Sequence, residues 1–203
     1  MHHPSFDLLV FDLGGVLVEN VGMDRLLAWM STKPSAEELW RTWLMSPTVR
    51  AFESGNLSAV PFAEAVIAEL SLTLSPAEFL TDFAGWTKQL YPGALELLQY
   101  LSQSHRLASL SNTNGIHWHR CYHEMQLATV FDYHFPSHET GRLKPDREAF
   151  EYVIEHTGRL PERILFLDDN QLNVNSAAAT GMVARKTVGL AEVQEVLRGF
   201  GIL

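Results

Sequence analysis

Short uninterrupted apolar runs recur along the chain, and each stops abruptly on polar, chemically capable residues. Leu8 to Phe11 runs into Asp12, Gly14 and Gly15; Leu107 to Leu110 into Ser111, Asn112 and Thr113; Ile164 to Leu167 into Asp168, Asp169 and Asn170. Phe131 to Phe135 leads toward Gly141 and Lys144. Runs of this kind, closed by glycine and polar turn residues, fit strands buried on both faces, as in a parallel sheet. Between them, positions recur at helical spacing: Leu95, Leu98 and Leu101; Phe150, Val153, Ile154 and Thr157; Val174, Ala177, Ala178 and Gly181. The alternation predicts an α/β fold, a parallel sheet with right-handed crossovers and flanking helices. In open sheets of this type ligands bind at the carboxyl ends of the strands, where the polar clusters fall.

From about Gly22 to Tyr91 the alternation breaks down into helical patterns with no convincing strand between them, which predicts an inserted helical subdomain. Ser35 followed by Glu38 resembles a capping box, Ser58 and Ser75 are candidate N-caps, and Pro61 and Pro76 lie near helix starts. Trp29, Trp40, Trp43, Phe79 and Trp86 are expected to pack these helices together, with a minority lining a substrate pocket. Gly55 and Asn56 mark a turn, and Tyr91, Pro92 and Gly93 mark the return to the sheet. The expected division is a core of residues 1–19 and 92–203 and a cap of residues 20–91, with hinges near Asn20 to Gly22 and Tyr91 to Gly93.

Composition narrows the function classes. The 203 residues suffice for one core plus a small appendage, and 46% apolar with 19% charged residues is ordinary for a globular chain. A formal charge of −9, without a run of Lys or Arg, argues against nucleic acid as a partner. Cys121 is the only cysteine, so neither an internal disulfide nor a paired-thiol zinc cage is available. No stretch reaches the roughly 18 apolar residues of a membrane span. Met1, His2, His3 and Pro4 carry no secretory signature, so a cytoplasmic location is expected. Oligomeric state is not encoded in any pattern found.

The strand ends suggest a chemistry. Two adjacent carboxylates, Asp168 and Asp169, brought near Asp12 would repel unless a cation neutralised them, and a hard oxygen-preferring ion such as Mg²⁺ suits that set. Ser111 and Asn112, ahead of a predicted helix, offer a hydroxyl, an amide and a helix N-terminus to an anion such as phosphate. Lys144 could bridge nucleophile and phosphoryl oxygens. Each residue also has a plainer reading alone: Asp12 closing a loop, Asp168 or Asp169 capping the next helix, Lys144 on the surface.

In order and placement, however, these motifs resemble the haloacid dehalogenase-like (HAD) hydrolase superfamily over essentially the whole chain. Phe11-Asp12-Leu13-Gly14-Gly15-Val16 is similar to its first motif, Leu110-Ser111-Asn112-Thr113-Asn114 to its second, Lys144-Pro145 to its third, and Leu167-Asp168-Asp169-Asn170 with Asn173 to its fourth. The insert matches the subfamily whose α-helical cap lies between the first two motifs. The resemblance implies a Rossmann-like parallel sheet core with that cap, and a Mg²⁺-dependent hydrolase of small phosphorylated metabolites. It makes Asp12 the nucleophile and a metal ligand, Ser111 and Lys144 phosphate holders, with the Asn112 amide beside them as a substrate-binding candidate, and Asp169 a second metal ligand. Gly14 would contribute its backbone carbonyl, Asp168 would be a nearby ligand or supporting acid, and Asn173 would orient metal-bound water. The reaction would pass through an aspartyl-phosphate.

One position departs from the pattern. Most phosphatases of the superfamily carry Asp two residues after the nucleophile as general acid and base, whereas this chain has Gly14. Such catalysis contributes roughly 10² to 10⁴ in rate, so sugar 1-phosphates and acyl phosphates, with good leaving groups, would suffer least. Glu19, His117 and His119 are candidate substitutes. Two other readings are opened by Gly14: a metal-independent 2-haloacid dehalogenase, against which the paired acids Asp168 and Asp169 speak, and a weakened hydrolase fold serving as a binding or regulatory module.

Overall fold

The computed structural model describes residues 5–203, so the reading of Met1 to Pro4 lies outside the described residues. The chain opens with β1 (Leu8–Phe11) and β2 (Val18–Asn20), then passes through α1 (Gly22–Trp29), α2 (Ala36–Met45), α3 (Pro47–Glu53), α4 (Ala59–Leu70) and α5 (Pro76–Phe83). It returns through β3 (Thr87–Leu90), α6 (Ala94–Leu101), β4 (Arg106–Ser111), α7 (Gly115–His119), β5 (Tyr133–Pro136), α8 (Ser137–Thr140) and α9 (Arg147–Thr157). β6 (Ile164–Asp168), α10 (Gln171–Ala179), β7 (Val183–Lys186) and α11 (Gly189–Gly199) complete it.

Five strands form one parallel sheet in the order β5-β4-β1-β6-β7. Side chains alternate across a strand, so each buried strand feeds two cores. Leu9 and Phe11 of β1, with Leu165 and Leu167 of β6, meet α6 and α11 on one face. Leu8 and Val10, with Ile164 and Phe166, meet α9 and α10 on the other. This explains why the central strands are continuous apolar runs rather than alternating ones. β1 sits where the chain order reverses, with β4 on one side and β6 on the other, which places the crevice above the ends of these three strands.

Helices α1 to α5 enclose a separate core built from Trp43, Phe52, Phe62, Phe79, Phe83, Trp86 and their aliphatic neighbours. Phe52 and Phe62 stack at 4.0 Å, and Phe83 meets Trp86 edge to face at 4.8 Å. Ser35 and Ser75 each form the full capping box with the glutamate three residues on, and Pro76 takes the first helical turn, where its missing N–H costs nothing. Ser58 occupies the N-cap of α4 without a side-chain hydrogen bond.

Two features differ from the sequence reading. β3 lies inside the stretch read as purely helical, and pairs antiparallel with β2, Val18 opposite Leu90 and Asn20 opposite Thr87. Its sequence Thr-Lys-Gln-Leu is short and polar because much of it faces solvent, so it carries no apolar run. β7, Val-Ala-Arg-Lys, is an edge strand with the same weak signature. Among the described residues no helix is long and apolar enough to cross a membrane.

Besides the β2–β3 ribbon, the cap touches the core on its opposite side. The buried Ser137 hydroxyl, at the start of α8, donates to the Glu53 carbonyl at 2.6 Å and accepts from the Thr113 N–H at 2.9 Å. Gly55 (φ +78°) lies so close to this point that a Cβ would stand 2.5 Å from the His138 carbonyl oxygen. Arg50 pairs with Asp146 across the same seam.

Candidate active site

The residues singled out at the three central strand ends converge. Asp12 follows β1 directly, its N–H donating to the Leu167 carbonyl at 2.9 Å, which sets it beside the end of β6. One carboxylate oxygen from each of Asp12, Asp168 and Asp169 lies within 4.8 Å of the others, a cluster that could hold a metal ion. Lys144 is buried among them, its ammonium 2.8 Å from Asp12 Oδ1 and 2.6 Å from Asp168 Oδ2. Ser111, at the end of β4, lines the same cavity.

The three acids have different surroundings. Asp168 is fully enclosed and its oxygens are occupied: they accept from the Asn170 N–H at 2.8 Å, from Asn173 Nδ2 at 3.0 Å and from Lys144. It therefore anchors Lys144 and Asn173. Asp169 enters no ion pair among the described residues; burial, then the charges of Asp12 and Asp168, push its carboxyl up to about 8. Burial also raises Asp12, partly offset by Lys144, with the charge of Asp168 adding to the rise. Burial alone would lower Lys144, but the two carboxylates outweigh it and hold the ammonium charged. Asn173 presents a second sign of a missing positive partner: its Oδ1 is buried with no donor. Two carboxylates forced above their ordinary range and an orphaned acceptor make a donor set of oxygens suited to a hard cation.

Backbone chemistry shapes the first loop. Gly15 has φ +76°, and a Cβ there would stand 2.3 Å from Asp169 Oδ2, so only glycine lets the loop pass under this acid. Gly14 is different: a Cβ would meet only the Asn20 side chain, nearest at Nδ2, 3.3 Å away. Position 14 therefore lacks an acid by sequence rather than by backbone constraint.

Other residues are placed differently from expectation. Asn112 lines the cavity, but its side chain accepts from the Lys144 N–H at 2.9 Å and donates to the Lys144 carbonyl at 2.8 Å, holding that backbone in register. The helix N-terminus expected to serve an anion after Ser111 is not open. α7 is a single short turn, and the Asn114 side chain already accepts from the N–H groups of Ile116 and His117 at 3.1 and 3.2 Å. The cap of α10 is Asn170, not either aspartate, with its Oδ1 on the Leu172 N–H at 2.9 Å. His117 is buried with Nε2 2.6 Å from the Phe83 carbonyl oxygen and Nδ1 3.3 Å from Asn114 Nδ2, so both ring nitrogens are committed. Glu19 and His119 do not line the cavity.

The cavity above the cluster has a volume of about 320 Å³, the scale of a small-molecule site. Its floor is the charged set of the core. Its roof is the cap: Trp40, Trp43, Phe83 and Trp86, with two acidic residues, the exposed Asp24 and the buried Glu53. Sequence reasoning missed Glu53. It is buried, and burial above all raises its carboxyl to about 7, with Trp43 and Lys144 drawing it down and Asp12 pushing it up. The only mark it leaves in the sequence is its place just before Ser54 and Gly55, at a helix end.

Residues 6–181 match the haloacid dehalogenase-like hydrolases, and the chain belongs to that family. It is 26% identical over 186 residues to a phosphoglycolate phosphatase of Pseudomonas putida, a match covering 86% of this chain and 66% of that protein. It is 25% identical over 182 residues to the D-ribitol-5-phosphate phosphatase of Bacteroides thetaiotaomicron, covering 85% and 87%. The chain thus spans slightly less than two thirds of the phosphoglycolate phosphatase. A HAD family enzyme of Bacteroides thetaiotaomicron, solved with magnesium and inorganic phosphate, shares the fold with a TM-score of 0.68 at 21% identity, over 90% of this chain and 94% of that one.

Proposed function

We propose that this hydrolase is a Mg²⁺-dependent phosphatase of small phosphate monoesters, acting through an aspartyl-phosphate on Asp12. The observation that carries the reading is the acidic cluster itself, where Lys144 is shared between Asp12 and Asp168 while Asp169 has no ion-pair partner among the described residues. A third acid set beside two that already share one ammonium calls for a further positive charge. Asp12, Asp169 and the Gly14 carbonyl would hold Mg²⁺, and when bound it would neutralise phosphoryl oxygens and so admit a dianion to an acidic site.

This chain's residues account for the rest. Lys144, fixed by Asp168 and by the Asn112 clamp, lies beside the nucleophile and offers positive charge to the phosphoryl group. Ser111 lines the same cavity, and its hydroxyl would hold a second phosphoryl oxygen. Asp12 attacks phosphorus, the ester oxygen leaves, and water then attacks phosphorus to release phosphate and free Asp12. The indole-rich roof excludes water while this happens.

The relatives named for phosphoglycolate and for D-ribitol 5-phosphate support small metabolites as substrates. Among the described residues Lys144 is the sole lysine or arginine lining the cavity, and the roof adds apolar, mostly aromatic surface and two acids, Asp24 and Glu53. A substrate with an uncharged organic part fits this roof better than one with a second anion. The test is phosphate release over sugar phosphates, polyol phosphates and phosphoglycolate, with Mg²⁺ or with EDTA. Mg²⁺-dependent turnover of the uncharged esters, abolished in Asp12→Asn, is expected; chloride release from 2-chloropropionate in EDTA would instead establish the dehalogenase.

A further inference from the structure

The phosphatase reading leaves one role unfilled, because position 14 has no acid to protonate the leaving group. Asn20 covers that position, with Nδ2 3.3 Å from where a Gly14 Cβ would be, and an amide does not exchange protons near neutral pH. The other titratable groups of the cavity are committed to partners, raised out of range or exposed. Lys144 is shared by two carboxylates, Asp169 belongs to the cation cluster, and His117 uses both ring nitrogens structurally. Burial lifts the Cys121 thiol to about 12, out of range for proton exchange. Burial, then the charges of Glu19 and Asp169, raise the Tyr91 phenol above its already high ordinary value, and Asp24 is exposed on the cap.

Glu53 remains, and it is held in place. It is the last residue of α3, it lines the cavity that Asp12 floors, and three contacts dock this end of α3 and the turn after it on the core. These are the Ser137 hydroxyl on the Glu53 carbonyl at 2.6 Å, the close pass of Gly55 over His138, and the Arg50–Asp146 pair. The charges that face its carboxyl are Lys144 and Asp12 from the core and Arg50 from its own helix. A glutamate buried under a roof of tryptophans costs stability that an apolar residue would not, which is what a group retained for chemistry looks like.

We propose that Glu53 is the general acid and base of this enzyme, supplied by the cap in place of the missing residue 14. As Asp12 Oδ bonds to phosphorus and the P–O ester bond breaks, the Glu53 carboxylic acid gives its proton to the departing oxygen, which leaves as an alcohol. The resulting carboxylate takes a proton from the water whose oxygen attacks phosphorus. The Asp12–phosphorus bond breaks, inorganic phosphate departs, and Glu53 is protonated again. The acid is thus in position only while the cap is docked on Ser137, which couples closure to chemistry.

The proposal rests on the phosphatase reading, and leaving-group dependence separates the two. Phenyl phosphate and p-nitrophenyl phosphate have similar shape, but only the first needs much help from an acid. Measured as kcat/KM with Mg²⁺, Glu53→Gln is expected to lose roughly 10²-fold or more on phenyl phosphate and less than about 10-fold on p-nitrophenyl phosphate. Equal losses on both esters, or no loss, with an active wild type would overturn the role of Glu53 and leave the phosphatase standing. A wild type that releases phosphate from neither ester would overturn both.

Discussion

The floor and the roof of the cavity are built on opposite principles. On the floor every charged group but one is held by partners within the core: Asp168 by Lys144, Asn170 and Asn173, and Lys144 by two carboxylates and the Asn112 clamp. The roof is aromatic and carries a single buried carboxyl, that of Glu53, whose position depends on how the cap docks. The contrast teaches where precision is invested. Groups that must meet the same phosphoryl geometry in every turnover stand on strand ends of a rigid sheet, whereas the cap sets what enters, how dry the site becomes and when a proton is at hand.

Lys144 is the sharpest place to break the floor. Removing it leaves Asp12 and Asp168 buried without their counter-charge, so Lys144→Ala is expected to cost about 3–5 kcal/mol in denaturant unfolding and roughly 10² or more in kcat. Loss of activity with unchanged stability would mean that the cluster is less enclosed than its burial indicates.

The roof carries the next effect, of opposite sign. The Glu53 carboxyl binds its proton more tightly in the folded chain, near 7, than at its ordinary value of 4.5. The folded state therefore holds more protons between these limits, and stability falls as pH rises through that window. Glu53→Gln removes the titration and should be more stable than the wild type at pH 8, by about 1–3 kcal/mol, with the gap closing toward pH 4.5. Melting curves at the two pH values test this; a gap independent of pH would contradict the burial of the acid.

The smallest effect tests the seam of the first loop. Gly15→Ala must adopt a left-handed backbone and push Asp169 aside, so about 1–2 kcal/mol of stability should be lost together with metal affinity. Gly14→Ala, which meets only the end of the Asn20 side chain, should fold almost normally.

The same contrast explains what the sequence made legible. β1, β4 and β6 were readable because both of their faces are buried, so they are apolar runs that end on the polar residues the crevice needs. Their convergence followed from topology, and Asp12, Ser111, Lys144, Asp168 and Asp169 do meet. The β2–β3 ribbon and edge strand β7 were not readable because solvent-facing positions erase the apolar pattern. Asn112 was read for its chemistry, while its amide is spent on the Lys144 backbone, a pairing 32 residues apart that no local pattern announces. Glu53 was invisible for a related reason. Its place over the floor is created by docking of α3 against α8, a tertiary contact, and in sequence it is one of 24 acidic residues.

The central claim is that Asp12 and Asp169 share a divalent cation at the ends of β1 and β6. Isothermal titration of the purified protein with MgCl₂ tests it without reference to any substrate. One Mg²⁺ per chain is expected for the wild type, with affinity lowered at least about tenfold in Asp169→Asn. Binding that is absent, or that is unchanged when Asp169 loses its charge, would contradict the account.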